Sequence, residues 1–189
     1  MSRSAVLLGL SLLLAASPVT AQTVIQPEKP LDPGQTVTRD AIAMLRDSLN
    51  GITAAGARLV RGVGPTSSPA WLQSRARNIA GACTRAQTTM VAARPAVEGG
   101  ADSLVVQVNA RRTLLAAMTG LNTTLTACET SWRERAAAAD ASPIRERGPS
   151  EVEALKQELQ TFDKKLLAYA STQGVKLPSI GSGTPPEVH

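Results

Sequence analysis

Cys83 and Cys128 are the only cysteines in the chain, and the only histidine is His189, the last residue. Two thiols could bind a metal, exchange electrons or staple the fold. Redox exchange normally uses Cys-x-x-Cys, and c-type haem attachment uses Cys-x-x-Cys-His; neither spacing occurs. With one terminal histidine there is no imidazole set for zinc and no base for a serine nucleophile, and no Gly-x-Ser-x-Gly occurs either. The carboxylate pairs Glu151/Glu153 and Glu129/Glu134 follow patterns expected of a solvated helix face. The expectation is therefore no catalytic set, no cofactor and no metal site. A structural disulfide between Cys83 and Cys128 is the leading role for the thiols, against two buried free thiols or pairing across a dimer.

Charge offers a second kind of chemistry. Between Gln35 and Ala137 the chain has 12 basic and 6 acidic side chains, and it carries a formal net charge of +5 overall. Arg75, Arg77, Arg85, Arg111 and Arg112 are candidates for a basic interaction face that would meet a protein partner or an anionic surface. The cations are interspersed rather than blocked, and export argues against nucleic acid as a partner. Aromatic residues make up 2%, namely Trp71, Trp132, Phe162 and Tyr169. That scarcity disfavours both β-sheet and a base-stacking surface. Trp71 and Trp132 could anchor bundle ends, the core or a partner surface. Met44, Met90 and Met118 read as core filler. The sequon Asn122-Thr-Thr124 falls within a helical pattern, which argues against glycosylation.

The elements that must position these residues follow from periodicity. Residues 1–21 read as a signal peptide: Arg3, an apolar run from Ala5 to Ala16, and Val19-Thr20-Ala21 ahead of a cleavage site. The run is too short to span a bilayer, and no later segment approaches that length, so the mature chain is expected to be exported, periplasmic or extracellular, and at most peripheral to a membrane. Residues 22–35 form a Pro-rich extended leader, and residues 177–189 a flexible Gly/Pro tail.

Between them, residues 36–176 read as four amphipathic helices. The first carries Ile42, Leu45, Leu49, Ile52, Gly56 and Leu59 from Thr36 to Gly62. The second starts at Ser68-Pro69 and carries Leu72, Ala76, Ile79, Cys83, Ala86 and Met90, ending near Pro95. A third, from about Asp102 to Ala139, carries Leu104, Val108, Leu115, Met118, Leu121, Leu125, Cys128 and Trp132 mostly on one face, with Arg111 or Arg112 interrupting the row. Its start, Ser103 to Val108, has strand-like composition but no visible partner strand. The fourth is expected to begin at a capping box, Ser150 with Glu153, after a single separate turn at Ser142-Pro143, and to carry Val152, Leu155, Leu159, Phe162, Leu166 and Tyr169. Gly174 should close it, with Val175 making the contact beyond.

Four such stripes specify an all-α bundle. The disulfide then constrains its topology. A plain hairpin turning near residue 97 would set Cys83 opposite residue 111, leaving Cys128 ~25 Å further along the axis. A disulfide needs Cα atoms within ~7 Å. Either an extended linker from Pro95 to Ala101 staggers helix three, or helix three breaks near Gly120 and folds back. Continuity of the stripe favours the stagger, so the fold class is an irregular or staggered four-helix bundle.

The leading functional reading is a non-enzymatic exported interaction or accessory protein acting through its surface, as an envelope-associated or complex subunit. The alternative is a small binding or chaperone-like module with an apolar cleft between helices. A carboxylate-dependent enzyme ranks third. The oligomeric state is not legible in the sequence.

Overall fold

The computed structural model describes residues 33–100, 104–175 and 177. The proposed signal peptide, most of the leader, nearly all of the tail and His189 lie outside the described residues. Four helices follow in order: α1 (Pro33–Gly62), α2 (Pro69–Glu98), α3 (Val105–Ala137) and α4 (Ser142–Thr172). They form a four-helix bundle in which each helix packs on its neighbours in sequence, α4 closes against α1, and α2 touches α4 across the middle. The interior is built largely from the expected stripes. On α3 the start differs: Leu114 is buried in place of Leu115, Val108 is half-buried and Leu104 is exposed, because the first turns of α3 extend past α2. Ile42, Leu45, Leu49, Ile52, Leu59, Leu72, Ile79, Leu114, Met118, Leu125, Leu166 and Tyr169 are all buried.

Local signals account for several boundaries. Ser68 caps α2, its hydroxyl accepting from Trp71 N at 3.2 Å, and Pro69 supplies the preset φ of the first helical position. At the end of α4, Gly174 adopts φ +70°. Val175 N donates to Ala170 O and Gly174 N to Ser171 O, while the Val175 side chain is buried. This is the six-to-one closure of a Schellman motif.

Other boundaries differ from expectation. α1 begins at Pro33, three residues before Thr36, and α3 begins at Val105 rather than Asp102. α2 continues through Pro95 to Glu98, with Gly99 N donating to Pro95 O; Val97 is buried there and holds the last turn on the core. The largest difference is α4. It is continuous from Ser142, and Ser150 is an interior residue whose hydroxyl donates to Arg147 O. Ile144 is buried, and a Cβ on Gly148 would lie 3.2 Å from Leu59 and 3.4 Å from Trp132. That packing, together with Asp140 accepting from Ser142 N at 2.9 Å, carries the helix past Pro149. Among the methionines, Met90 and Met118 are buried, but Met44 is 62% exposed because it lies off the Ile42–Leu45–Leu49 stripe.

Cys83 and Cys128 form the disulfide, with their Cα atoms 6.3 Å apart. α3 runs unbroken through Gly120, so the helix does not fold back. The stagger is set by side-chain pairing along the α2–α3 seam. Gln73 Nε2 reaches Ala138 O at 2.8 Å, Gln87 Nε2 reaches Thr126 Oγ1 at 2.9 Å, and Arg94 lies beside Thr119. In this register Glu98 ends level with the third turn of α3, and roughly 13 Å of α3 projects past α2. Because α2 stays helical to Glu98, the connection is shorter than the extended Pro95–Ala101 linker expected from sequence. The projecting turns are fastened instead by Gln107, whose Nε2 donates to Thr172 O of α4 at 3.1 Å.

Candidate functional site

A cleft of about 850 Å³ runs between α3 and α4. Its origin is in the sequence of α3, which turns Thr113, Ala116, Ala117 and Gly120 toward α4, where α4 answers with Ala154, Gln157 and Thr161. A Cβ placed on Gly120 would meet nothing within 4 Å. Leu121 and Phe162, otherwise core residues, form the apolar floor.

The rim is polar and its charge is uneven. Arg112 and Lys165 stand at one end. Further along, Thr124 Oγ1 donates to Glu158 Oε2 at 3.0 Å, tying the two walls together. The cleft is open to solvent along its length, and Leu121 and Phe162, 5% and 4% exposed, present a narrow apolar strip at its base. Such a cleft can hold an amphipathic segment, with apolar groups over Leu121 and Phe162 and a carboxylate between Arg112 and Lys165.

The five arginines singled out from the sequence are spread over both ends of the α2–α3 pair. Arg75 lies over the Trp71 ring at 5.2 Å, near the α1–α2 connection. Arg77 is exposed beside Arg133 in a shallow groove between α2 and α3. Arg85 is exposed near the middle of α2. Arg111 and Arg112 are near the opposite end, about 35 Å from Arg77 by helix rise. Arg111 is structural: its Nη1 donates to Gly100 O at 2.7 Å and Glu98 O at 3.2 Å, satisfying carbonyls at the end of α2. Arg112 alone of the five lines the cleft between α3 and α4.

Most of the remaining sequence candidates have structural partners, and Glu134 is exposed. The disulfide is buried, Cys83 fully. Glu151 forms a two-pronged pair with Arg135, Glu153 pairs with Lys156, and Glu129 pairs with Arg133. Trp132 is in the core under Arg135, whereas Trp71 is half-buried against Gly62. Asn122 is half-buried and accepts from Gln87 Nε2 at 3.3 Å. Among the described residues no three His, Cys, Asp or Glu side chains converge as a metal-holding group, and no helix is long and apolar enough to cross a membrane.

Sequence reasoning foresaw a cleft between helices as an alternative but named none of its residues. The available signal was the run of small residues at 113, 116, 117 and 120 on one flank of α3, beside the Met118–Leu121–Leu125 stripe. Compared with known proteins, the chain matches no family model, no curated protein and no solved structure.

Proposed function

We propose that this protein is an exported, non-enzymatic accessory protein that binds a partner polypeptide in the α3–α4 cleft. The observation that carries this is the cleft itself: about 850 Å³ of space with Leu121 and Phe162 beneath and Arg112 and Lys165 at one end. The fitting occupant is an amphipathic segment with an acidic end. Binding to such a site needs no bond-making side chain, only apolar burial and one charge pairing, worth roughly 25 cal/mol per Å² buried before ordering costs. Export is supported by the signal-like N-terminus and by the disulfide, which persists in oxidising compartments.

Site-specific photo-crosslinking in the native host tests this. A crosslinker at Ala116, on the cleft wall, should capture a discrete partner, and one at exposed Thr130 should not. Gly120→Leu should abolish the Ala116 adduct without unfolding the bundle, since leucine fills the empty space and favours helix over glycine. Equal capture from both positions, or an adduct indifferent to Gly120→Leu, would refute the cleft as the binding site. Mass determination of the purified native protein should place Gln22 first; an intact Met1 would refute cleavage.

A further inference from the structure

The end of the bundle that carries the α2–α3 connection has a surface the cleft does not explain. Leu104, Val105 and Val106 are consecutive, and they are 57%, 78% and 57% exposed. They occupy the start of α3, where that helix projects beyond α2. Nothing in helix formation calls for them there. Leucine is a poor N-cap, and paired valines are indifferent helix formers. Gln107 compensates by accepting from Leu104 N through its side chain at 3.0 Å, and by holding the projecting turns to Thr172 of α4. The apolar triplet is thus carried on a braced helix end.

Cations surround this end. Arg39 pairs with Asp40 and Arg94 with Glu98, and Arg111 is taken up by the carbonyls of Glu98 and Gly100. Arg112, Lys164 and Lys165 are exposed, and among the described residues no carboxylate pairs with them. Along the α3 axis, Arg112 is about 10 Å behind Val105, and the two lysines lie about a turn further back.

We propose that this end docks on an anionic lipid bilayer, with Leu104, Val105 and Val106 entering the interface and Arg112, Lys164 and Lys165 meeting the headgroups. The spacing fits: with the triplet at the headgroup level, Arg112 stands about 10 Å back along α3, within about one Debye length of the anionic surface, and the lysines follow about a turn behind. The combination of features selects the partner. A polysaccharide or an acidic protein surface answers the cations, but a bilayer supplies anions with hydrocarbon directly beneath. A second copy of this chain would bring the same three uncompensated cations against them.

The test is co-sedimentation of the full mature protein with vesicles of phosphatidylglycerol and phosphatidylcholine in equal parts, beside phosphatidylcholine alone. Binding should require phosphatidylglycerol and fall with added salt. Replacing the triplet (Leu104→Ser, Val105→Ser, Val106→Ser) should weaken partitioning by about tenfold or more, and so should the charge reversal Lys164→Glu with Lys165→Glu. All these positions are exposed, and an unchanged circular-dichroism melt verifies that each variant is folded. Gly120→Leu, which blocks the cleft, should leave vesicle binding intact, so failure of the cleft and failure of the docking end are distinguishable. The proposal is overturned if the folded triplet variant binds as well as wild type, or if no phosphatidylglycerol-dependent binding occurs at low salt. It is equally overturned if sedimentation equilibrium shows a dimer that the triplet variant abolishes.

Discussion

Arg46 on α1 and Asp163 on α4 form a two-pronged ion pair inside the bundle. Arg46 Nε donates to Asp163 Oδ1 at 2.7 Å and Nη2 to Oδ2 at 3.1 Å, with the side chains 5% and 10% exposed. The pair is 117 residues apart in sequence and fixes the C-terminal half of α4 against the middle of α1. A buried pair of this kind adds little net stability compared with apolar residues of equal volume, but a single lost partner strands a charge.

Asp163→Leu should therefore destabilise the protein by about 3–5 kcal/mol, while the double change Arg46→Met, Asp163→Leu should recover most of that loss. Urea unfolding of the two single variants and the double variant measures it. Equal loss in single and double variants would show that the site needs the charges themselves.

Removing the staple should cost more than any surface substitution. Cys83→Ala with Cys128→Ala opens a loop of 45 residues, and chain entropy puts the loss at about 4 kcal/mol. Denaturant unfolding of oxidised and variant proteins compares them directly. The variant should keep its helical circular dichroism, since both positions sit in buried stripes that alanine continues.

Two glycines should respond with opposite signs. A Cβ on Gly56 would stand 2.5 Å from Val152 Cγ1, and a valine in a helix has essentially one rotamer, so Gly56→Ala should lower Tm through overpacking of about 1–3 kcal/mol. Gly120 has open space and no special backbone angle, so Gly120→Ala should raise stability by roughly 1 kcal/mol. Thermal melts of the two variants decide the matter; a loss at Gly120 would contradict the emptiness of the cleft.

Asp140 supplies a pH-dependent contribution at the start of α4. Its pKa is held below the usual carboxylate value, first by the backbone N–H of Ser142, then by the Ser142 side chain and Arg145. A lowered folded-state pKa means stabilisation that is complete above the unfolded value and is lost as pH falls through the folded value. Asp140→Asn should thus matter at neutral pH and converge with wild type in acid. Carbon-detected NMR titration of the carboxyl should find its midpoint below that of a model aspartate.

Much of this architecture was legible because helix burial is written in local periodicity. The stripes Ile42–Leu45–Leu49–Ile52 and Leu72–Ala76–Ile79–Cys83 specify both the helices and the faces they bury. The two cysteines on such stripes leave a staggered α3 or one broken near Gly120, and the continuity of the α3 stripe favours the stagger, which the structure adopts. Caps such as Ser68 and the Gly174 closure depend on neighbouring residues only, and they occur where the sequence places them.

Tertiary contact decided the rest. Ser150 with Glu153 satisfies every local rule for a helix start, yet α4 begins at Ser142, because burying Ile144 and seating Gly148 against Leu59 and Trp132 outweighs an interior proline. Arg46 and Asp163 lie within apolar arcs, and only the approach of α1 to α4 shows that each neutralises the other. The small residues from Thr113 to Gly120 mark a weak flank on α3, but whether a neighbour fills it depends on the separation of two helix axes. Leu104 and Val108 read as the start of a buried stripe; the register set by the disulfide and the α2–α3 pairs carries Leu104, with Val105 and Val106, past the end of α2. Periodicity reports what a helix needs to bury, whereas the offset between helices determines which of those needs are met.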